Sequence, residues 1–237
     1  MNARSCVALL AAAVALAACA GAPSTTVPAA AVVMEPAPEA ARATATVPVP
    51  MVAAPAPDPA LVAMYASRQD GARTLPAIDV AAFHRALLRN EVDYPTAEAP
   101  GTVVIDPHGP FLYLVEADGQ ATRYGIAVGR EGFGWSGSGT IARRAKWPTW
   151  TPPPEMIARD PHVAKWKDGQ PGGVTNPLGA RALYIYFGGQ DSGYRIHGTN
   201  TPKSIGWAAS SGCFRMLNQD VIDLYDRIPN GARVVVL

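Results

Sequence analysis

The chain has 237 residues, with 20 Lys+Arg against 19 Asp+Glu and three cysteines. A balance this close to zero does not support a strongly basic surface for nucleic acid, so no nucleic-acid partner is expected. The first sixty residues also differ so much in composition from the rest that the chain is not one uniform globule.

After Met1, one positive charge at Arg4 precedes an uncharged run from Val7 to Ala18. At about 1.5 Å of rise per residue those twelve residues fall well short of a hydrocarbon core of roughly 30 Å, so the segment reads as a signal peptide and not as a span. It ends Leu16-Ala17-Ala18-Cys19, which resembles the lipobox of bacterial lipoproteins; the alternative is an ordinary cleavage site with an incidental cysteine. The resemblance implies lipidation at Cys19, a lipid anchor and, with Ala20 following, the outer membrane of a Gram-negative cell; the alternative implies a soluble periplasmic protein. Residues 1–18 are then the leader and 19–57 a tether. From Ala20 to Pro57 there are 13 Ala and 8 Pro, with only Glu35, Glu39 and Arg42 charged, a composition that cannot bury a core. Such a tether averages on the order of 35 Å end to end.

Residues 58–99 read as a short helical lead-in. Asp58 before Pro59 is a helix start, with Ala60 to Gln69 as the helix and Gly71 as its stop. Asp79 caps a second helix over Val80–Arg89, where Val80, Phe83 and Leu87 share a face and His84 has a structural place. From residue 100 the pattern turns to β. Strands are expected over Thr102–Ile105, Phe111–Val115 and Thr122–Val128, the last two joined by the turn Ala117-Asp118-Gly119-Gln120. The glycine-rich stretch 129–139 is a loop, and further strands lie at Ile141–Lys146, Leu183–Phe187 and Arg195–His197. Asn218 caps a helix carrying Val221, Ile222, Tyr225 and Ile228 on one face, Pro229-Asn230-Gly231 ends it, and Arg233–Leu237 is the last strand. The expected fold is mainly β: an antiparallel sandwich or barrel-like domain over 100–237 with one C-terminal helix and a long capping loop. That loop is Trp147 to Gly179, too long to be a plain connection. Its tryptophans, among them Trp147 and Trp150, either wall a substrate groove or pack onto the loop itself; His162 and His108 sit in Asp-Pro turns.

Once the leader is gone and Cys19 carries lipid, Cys213 is the single thiol, without a disulfide partner. A lone cysteine is ordinarily a buried hydrophobe. Here, however, Ser-Ser-Gly precedes it, a setting in which backbone N–H groups can converge as an oxyanion hole, and His197 closes a β run. A thiol needs such a base to become a nucleophile. Zinc would require three or four close ligands, and one cysteine with four scattered histidines has no pair at ligand spacing.

The string HGTNTPKSIGWAASSGCFRM resembles the signature of the YkuD-type L,D-transpeptidase, His-Gly-Thr-Asn, about a dozen residues, then Ser-His-Gly-Cys-x-Arg, and twelve residues separate His197 from Ser210. The run VIDPHGPFLYLVEADGQATRYGIAVGR is similar to the family's opening strands. The resemblance implies a peptidoglycan transpeptidase needing no metal or organic cofactor. It places Cys213 as nucleophile on the bond between diaminopimelate and D-Ala of a stem tetrapeptide, and His197 as base and then acid. Gly198 would orient that histidine through its carbonyl, and Ser211 and Gly212 would donate backbone N–H groups to the oxyanion. Arg215, with Thr199, Asn200, Trp147 and Trp150, would contact substrate. The acyl acceptor is an amine, either on another stem peptide (a 3-3 cross-link) or on an outer-membrane protein. Two other outcomes of the same residues are hydrolysis, as an L,D-carboxypeptidase or amidase, and a non-catalytic wall-binding lipoprotein. Ser211 departs from the pattern, which more often has His there, and this leaves His197 as the one motif residue able to act as base.

Overall fold

The computed structural model describes residues 57–129, 136–209 and 213–237. Cys19, Ser211 and Gly212 lie outside the described residues, as do the leader and nearly all of the tether. Among the described residues no helix is long and apolar enough to cross a membrane.

The lead-in differs from its expected form. Helix α1 covers only Pro59–Met64, capped by the Asp58 carboxylate on the Ala60 N–H at 2.8 Å. The chain then turns back as a hairpin of β1 (Arg68–Asp70) and β2 (Arg73–Leu75), so Gly71, at φ +64°, serves a hairpin turn instead of stopping a helix. Val80–Arg89 is also not one helix. Two 3-10 turns, Val80–Ala82 and Arg85–Leu87, are separated by Phe83 and His84 in extended conformation, and the His84 ring accepts from the Ala86 N–H. The expected apolar face is nonetheless used: Val80 is buried, and Phe83 and Leu87 pack with Leu61 and Tyr65.

β3 (Asn90–Asp93) joins the main sheet, which continues through β4 (Val103–Asp106), β5 (Phe111–Val115), β6 (Gln120–Gly129) and β7 (Gly137–Lys146), then β8 (Arg181–Phe187), β9 (Gln190–His197), β10 (Ala208–Ala209), β11 (Phe214–Met216) and β12 (Arg233–Val236). Strand order is β10-β6-β11-β9-β8-β7-β12-β4-β5, and β5 pairs back onto β6, so the sheet closes on itself. The ten-residue β6 makes this closure possible. Its first half lies between β3 and β5, and its last residues pair with β11 and β10. The β5–β6 turn has Asp118 and Gly119 both at positive φ, as a two-residue hairpin with right-twisted strands requires. The sheet is mixed, with parallel pairings at β4–β12, β9–β11 and β6–β10 beside the antiparallel ones.

Inside the closed sheet lie Ile105, Leu112, Tyr124, Ile126, Ile141, Leu183, Ile185, Ile196 and Phe214, all fully buried. Helix α3 (Asn218–Arg227) seals the core with Val221 and Leu224. Each such side chain contributes about 1.5–3 kcal/mol on burial. Asn218 does not cap this helix: Leu217 holds the N-cap position, and the Asn218 amide is used elsewhere.

Candidate active site

The parallel pairing of β11 with β9 sets Phe214 beside Ile196 and Arg215 beside His197. Side chains alternate along a strand, and Phe214 and Ile196 both point into the core at 0% exposure. Arg215 and His197 therefore share the opposite face, and Cys213 immediately precedes β11. Cys213 is half-buried, and its carbonyl accepts from the Gly129 N–H at 3.1 Å, which ties its backbone to the end of β6. The flanking Ala209 and Phe214 pair with Gly129 and Val128 of that same strand end.

His197 is buried, and its Nδ1 lies 2.6 Å from the Gly198 carbonyl. A carbonyl only accepts, so Nδ1 carries the proton and Nε2 keeps its lone pair. Burial pushes the His197 pKa down to about 4; the Gly198 bond opposes the shift, and the charges of Arg215 and Arg195 add to it. The ring is thus a neutral base at pH 7. Burial also lowers the Arg215 pKa, while a charge on Cys213 raises it, so the guanidinium and the thiol sense each other.

The Gly198 N–H donates to the Arg181 carbonyl at 3.1 Å. Asn218 locks the same corner: its Oδ1 accepts from the Ala180 N–H at 2.9 Å, and its Nδ2 donates to the Thr199 carbonyl at 2.8 Å. The fit leaves no room for a side chain at Gly198, where a Cβ would stand 2.1 Å from Asn218 Oδ1. Neither Asn218 nor Arg181 was visible as a site residue in the sequence, because the groups they hold are far away along the chain.

The residues expected to contact substrate divide. The Thr199 hydroxyl accepts from the Thr201 N–H at 3.0 Å within a tight turn, and the residue is buried. Asn200 donates to the Thr175 carbonyl at 2.8 Å and so pins the capping segment. That segment is more ordered than expected, with α2 (Pro154–Arg159), a 3-10 turn over Pro161–Trp166 and a bridge between Trp150 and Gln170. At its hub the fully buried Asn176 amide donates to the carbonyls of Pro148, Gln170 and Pro171. Trp150 and Trp166 line a groove of about 400 Å³ together with His162, Lys165 and Asn200. Trp147 is not among them. It packs against Leu75, Ala180 and Ile222, and the Arg73 guanidinium lies 5.0 Å over its ring. Trp207, 73% exposed, immediately precedes β10. A hollow of about 470 Å³ bordered by Leu61, Arg89 and Arg227 is built of other residues, and both of these arginines pair with Asp223.

The L,D-transpeptidase catalytic domain of the YkuD family matches residues 100–236. The chain belongs to that family. Relatives include the "Probable L,D-transpeptidase ErfK/SrfK" of Escherichia coli strain K12, 37% identical over 102 residues, which are 41% of this chain and 30% of that protein. A Bacillus licheniformis protein bearing the YkuD name is 36% identical over 137 residues, 58% of this chain and 66% of its own. The chain thus spans less than two thirds of the length of these relatives. Among solved structures, one from Brucella melitensis titled "Probable carnitine operon oxidoreductase caia" is 49% identical, covering 67% of this chain and 99% of that one, with a TM-score of 0.46.

Proposed function

We propose that this YkuD-family domain is a cysteine L,D-transpeptidase acting on peptidoglycan stem peptides. The observation that carries the reading is the pairing of Arg215 with His197, which brings the start of β11 and the preceding Cys213 to the end of β9, with the His197 proton directed onto the Gly198 carbonyl. Nε2 of the neutral imidazole accepts the thiol proton, and the sulfur attacks the carbonyl between diaminopimelate and the terminal D-Ala. As the C–N bond breaks, His197 returns that proton to the leaving amine, D-Ala departs, and a thioester remains on Cys213. An acceptor amine then attacks the thioester and gives its proton to His197, and the C–S bond breaks. The oxyanion is held by backbone N–H groups of the Ser211-Gly212-Cys213 stretch, and Arg215 faces a substrate carboxylate. The groove of Trp150, Trp166 and Asn200 receives a peptide. No step calls for a metal or organic cofactor.

In this reading the acceptor is a stem-peptide amine or an outer-membrane protein lysine, and Cys19 carries the lipid that holds the domain on the periplasmic side of the outer membrane. Incubation with disaccharide tetrapeptides, resolved by mass, is expected to yield dimers with loss of D-Ala. Tripeptides alone would identify water as acceptor. Turnover that persists in Cys213→Ala would eliminate the thiol mechanism, as would failure of a carbapenem to form a mass adduct at Cys213. Palmitate labelling of wild type against Cys19→Ala tests the anchor.

A further inference from the structure

The lead-in hairpin lies outside the segment matched by the family, yet it reaches the site. Arg181, the first residue of β8, has a side chain only 2% exposed. Its guanidinium is gripped by the Asp70 carboxylate of β1 through two parallel bonds, Nη1 to Oδ2 at 2.7 Å and Nη2 to Oδ1 at 2.8 Å. Nη1 also donates to the Ala180 carbonyl at 2.8 Å, and the Tyr225 ring lies 5.2 Å away. The Asp70 carboxyl is held below its usual range, first by this bond to Arg181. Two further contacts fix the hairpin: Leu75 is fully buried against Ala180 and Ile222, and Arg73, opposite Asp70 in the register, donates twice to the Gly172 carbonyl.

What Arg181 does with its backbone matters more. Its carbonyl accepts the Gly198 N–H, and the Gly198 carbonyl accepts the His197 Nδ1 proton. Its neighbour Ala182 is the strand partner of His197. A two-toothed Arg–carboxylate bond specifies orientation as well as proximity, and a buried guanidinium deprived of its carboxylate must move to find another partner. We infer that Asp70 is a positioning residue for the general base: the Asp70–Arg181 fork fixes the first residue of β8, the Arg181 carbonyl fixes Gly198, and the Gly198 carbonyl fixes the His197 ring. The functional unit of this protein therefore includes the hairpin Arg68–Leu75 as well as the family domain. This inference rests on the proposed His197–Cys213 chemistry.

The test uses the full chain with Asp70→Asn, Arg181→Gln and the double variant, each confirmed folded by circular dichroism at the assay temperature. Two rates are read: alkylation of Cys213 by iodoacetamide at neutral pH, followed on the Cys213 peptide by mass, and muropeptide turnover resolved into kcat and KM. Misplacing a base by a fraction of an ångström is costly, so folded Asp70→Asn is expected to lose about tenfold in kcat and in alkylation rate with KM nearly unchanged. Because the two residues act as one unit, the double variant is expected to lose no more than the worse single. Should Arg181→Gln not fold, Asp70→Asn alone decides. Wild-type rates in folded Asp70→Asn, or a loss that tracks the unfolded fraction on warming, would overturn the positioning role. Alkylation unchanged in His197→Ala would instead overturn the underlying His–Cys reading, and the two failures are thus told apart.

Discussion

Asn218→Ala probes the corner that holds the candidate base, and its cost follows from two bonds. In the native protein the Asn218 amide satisfies the Ala180 N–H and the Thr199 carbonyl, both on residues no more than 3% exposed. Truncation removes both partners at once. An orphaned buried donor or acceptor costs about 1–3 kcal/mol, so the pair costs about 2–6 kcal/mol, a large share of the roughly 5–15 kcal/mol by which domains are stable. At a mid-range urea slope of about 2 kcal/mol/M the midpoint should fall by roughly 1–3 M at unchanged slope. Asn218→Asp keeps the acceptor for Ala180 but turns an oxygen onto the Thr199 carbonyl, and should be no better. Gly198→Ala is an independent check, because its Cβ would meet Asn218 Oδ1 at 2.1 Å and the Ala180 nitrogen only at 3.1 Å. Its cost should shrink in the Asn218→Ala background, a coupling of neighbours that share one space. A midpoint shift equivalent to less than about 0.5 kcal/mol in Asn218→Ala, or strict additivity of the two changes, would refute this account of the corner.

His197→Ala is expected to abolish muropeptide turnover and Ser211→His to retain it; full activity of His197→Ala would show that another group serves as base. The pH dependence of stability contains two opposed contributions. Burial lowers His197 from 6.5 to about 4, so its contribution is present above pH 6.5 and lost as pH falls towards 4. Burial raises Asp220 from 3.8 to about 7, so its contribution is present below pH 3.8 and lost as pH rises through 7. Asp220→Asn removes the second alone, and its urea midpoint should climb more steeply from pH 4.5 to pH 7 than that of wild type, by up to about 1.4 kcal/mol per pH unit; parallel profiles would contradict the assignment. Tyr65→Phe deletes a hydroxyl that donates to Asp220 at 2.9 Å and accepts the Arg89 N–H at 2.7 Å, and thermal melts should register a loss of about 1–3 kcal/mol. An unchanged melting temperature would mean that the lead-in is held by its apolar contacts alone.

Much of the architecture is written in local patterns. The positive-φ turn at Asp118-Gly119, the β-branched run of β4 and the apolar face of α3 are short-range signals, and each element formed where its pattern stood. The lead-in shows the limit of such signals. Val80, Phe83 and Leu87 carry helical spacing and do face the core, but spacing alone does not close a helix. The carbonyl of Leu87 lies so near Gly125 that a Cβ there would stand 2.3 Å from it, and the backbone over Val80–Leu87 follows β6 as two separate turns. Gly71 likewise suits a helix stop or a hairpin turn, and the pairing of Arg68 with Leu75 selected the hairpin.

For the site, sequence alone determined the family, because His-Gly-Thr-Asn and Gly-Cys-x-Arg are short strings legible without any fold, and it named His197 and Cys213, sixteen positions apart, as the candidate pair. Tertiary structure alone decided what surrounds that pair. Asn218 reaches Ala180 across 38 positions and Asp70 reaches Arg181 across 111. It also decided that the Thr199 hydroxyl bonds within its own turn and that Trp147 packs on Leu75, Ala180 and Ile222, while Trp150 shares a groove with Trp166 and Asn200. A motif specifies groups that must be chemically present, whereas their orientation depends on hydrogen bonds between strands brought together by closure of the sheet, and no local spacing encodes those partners.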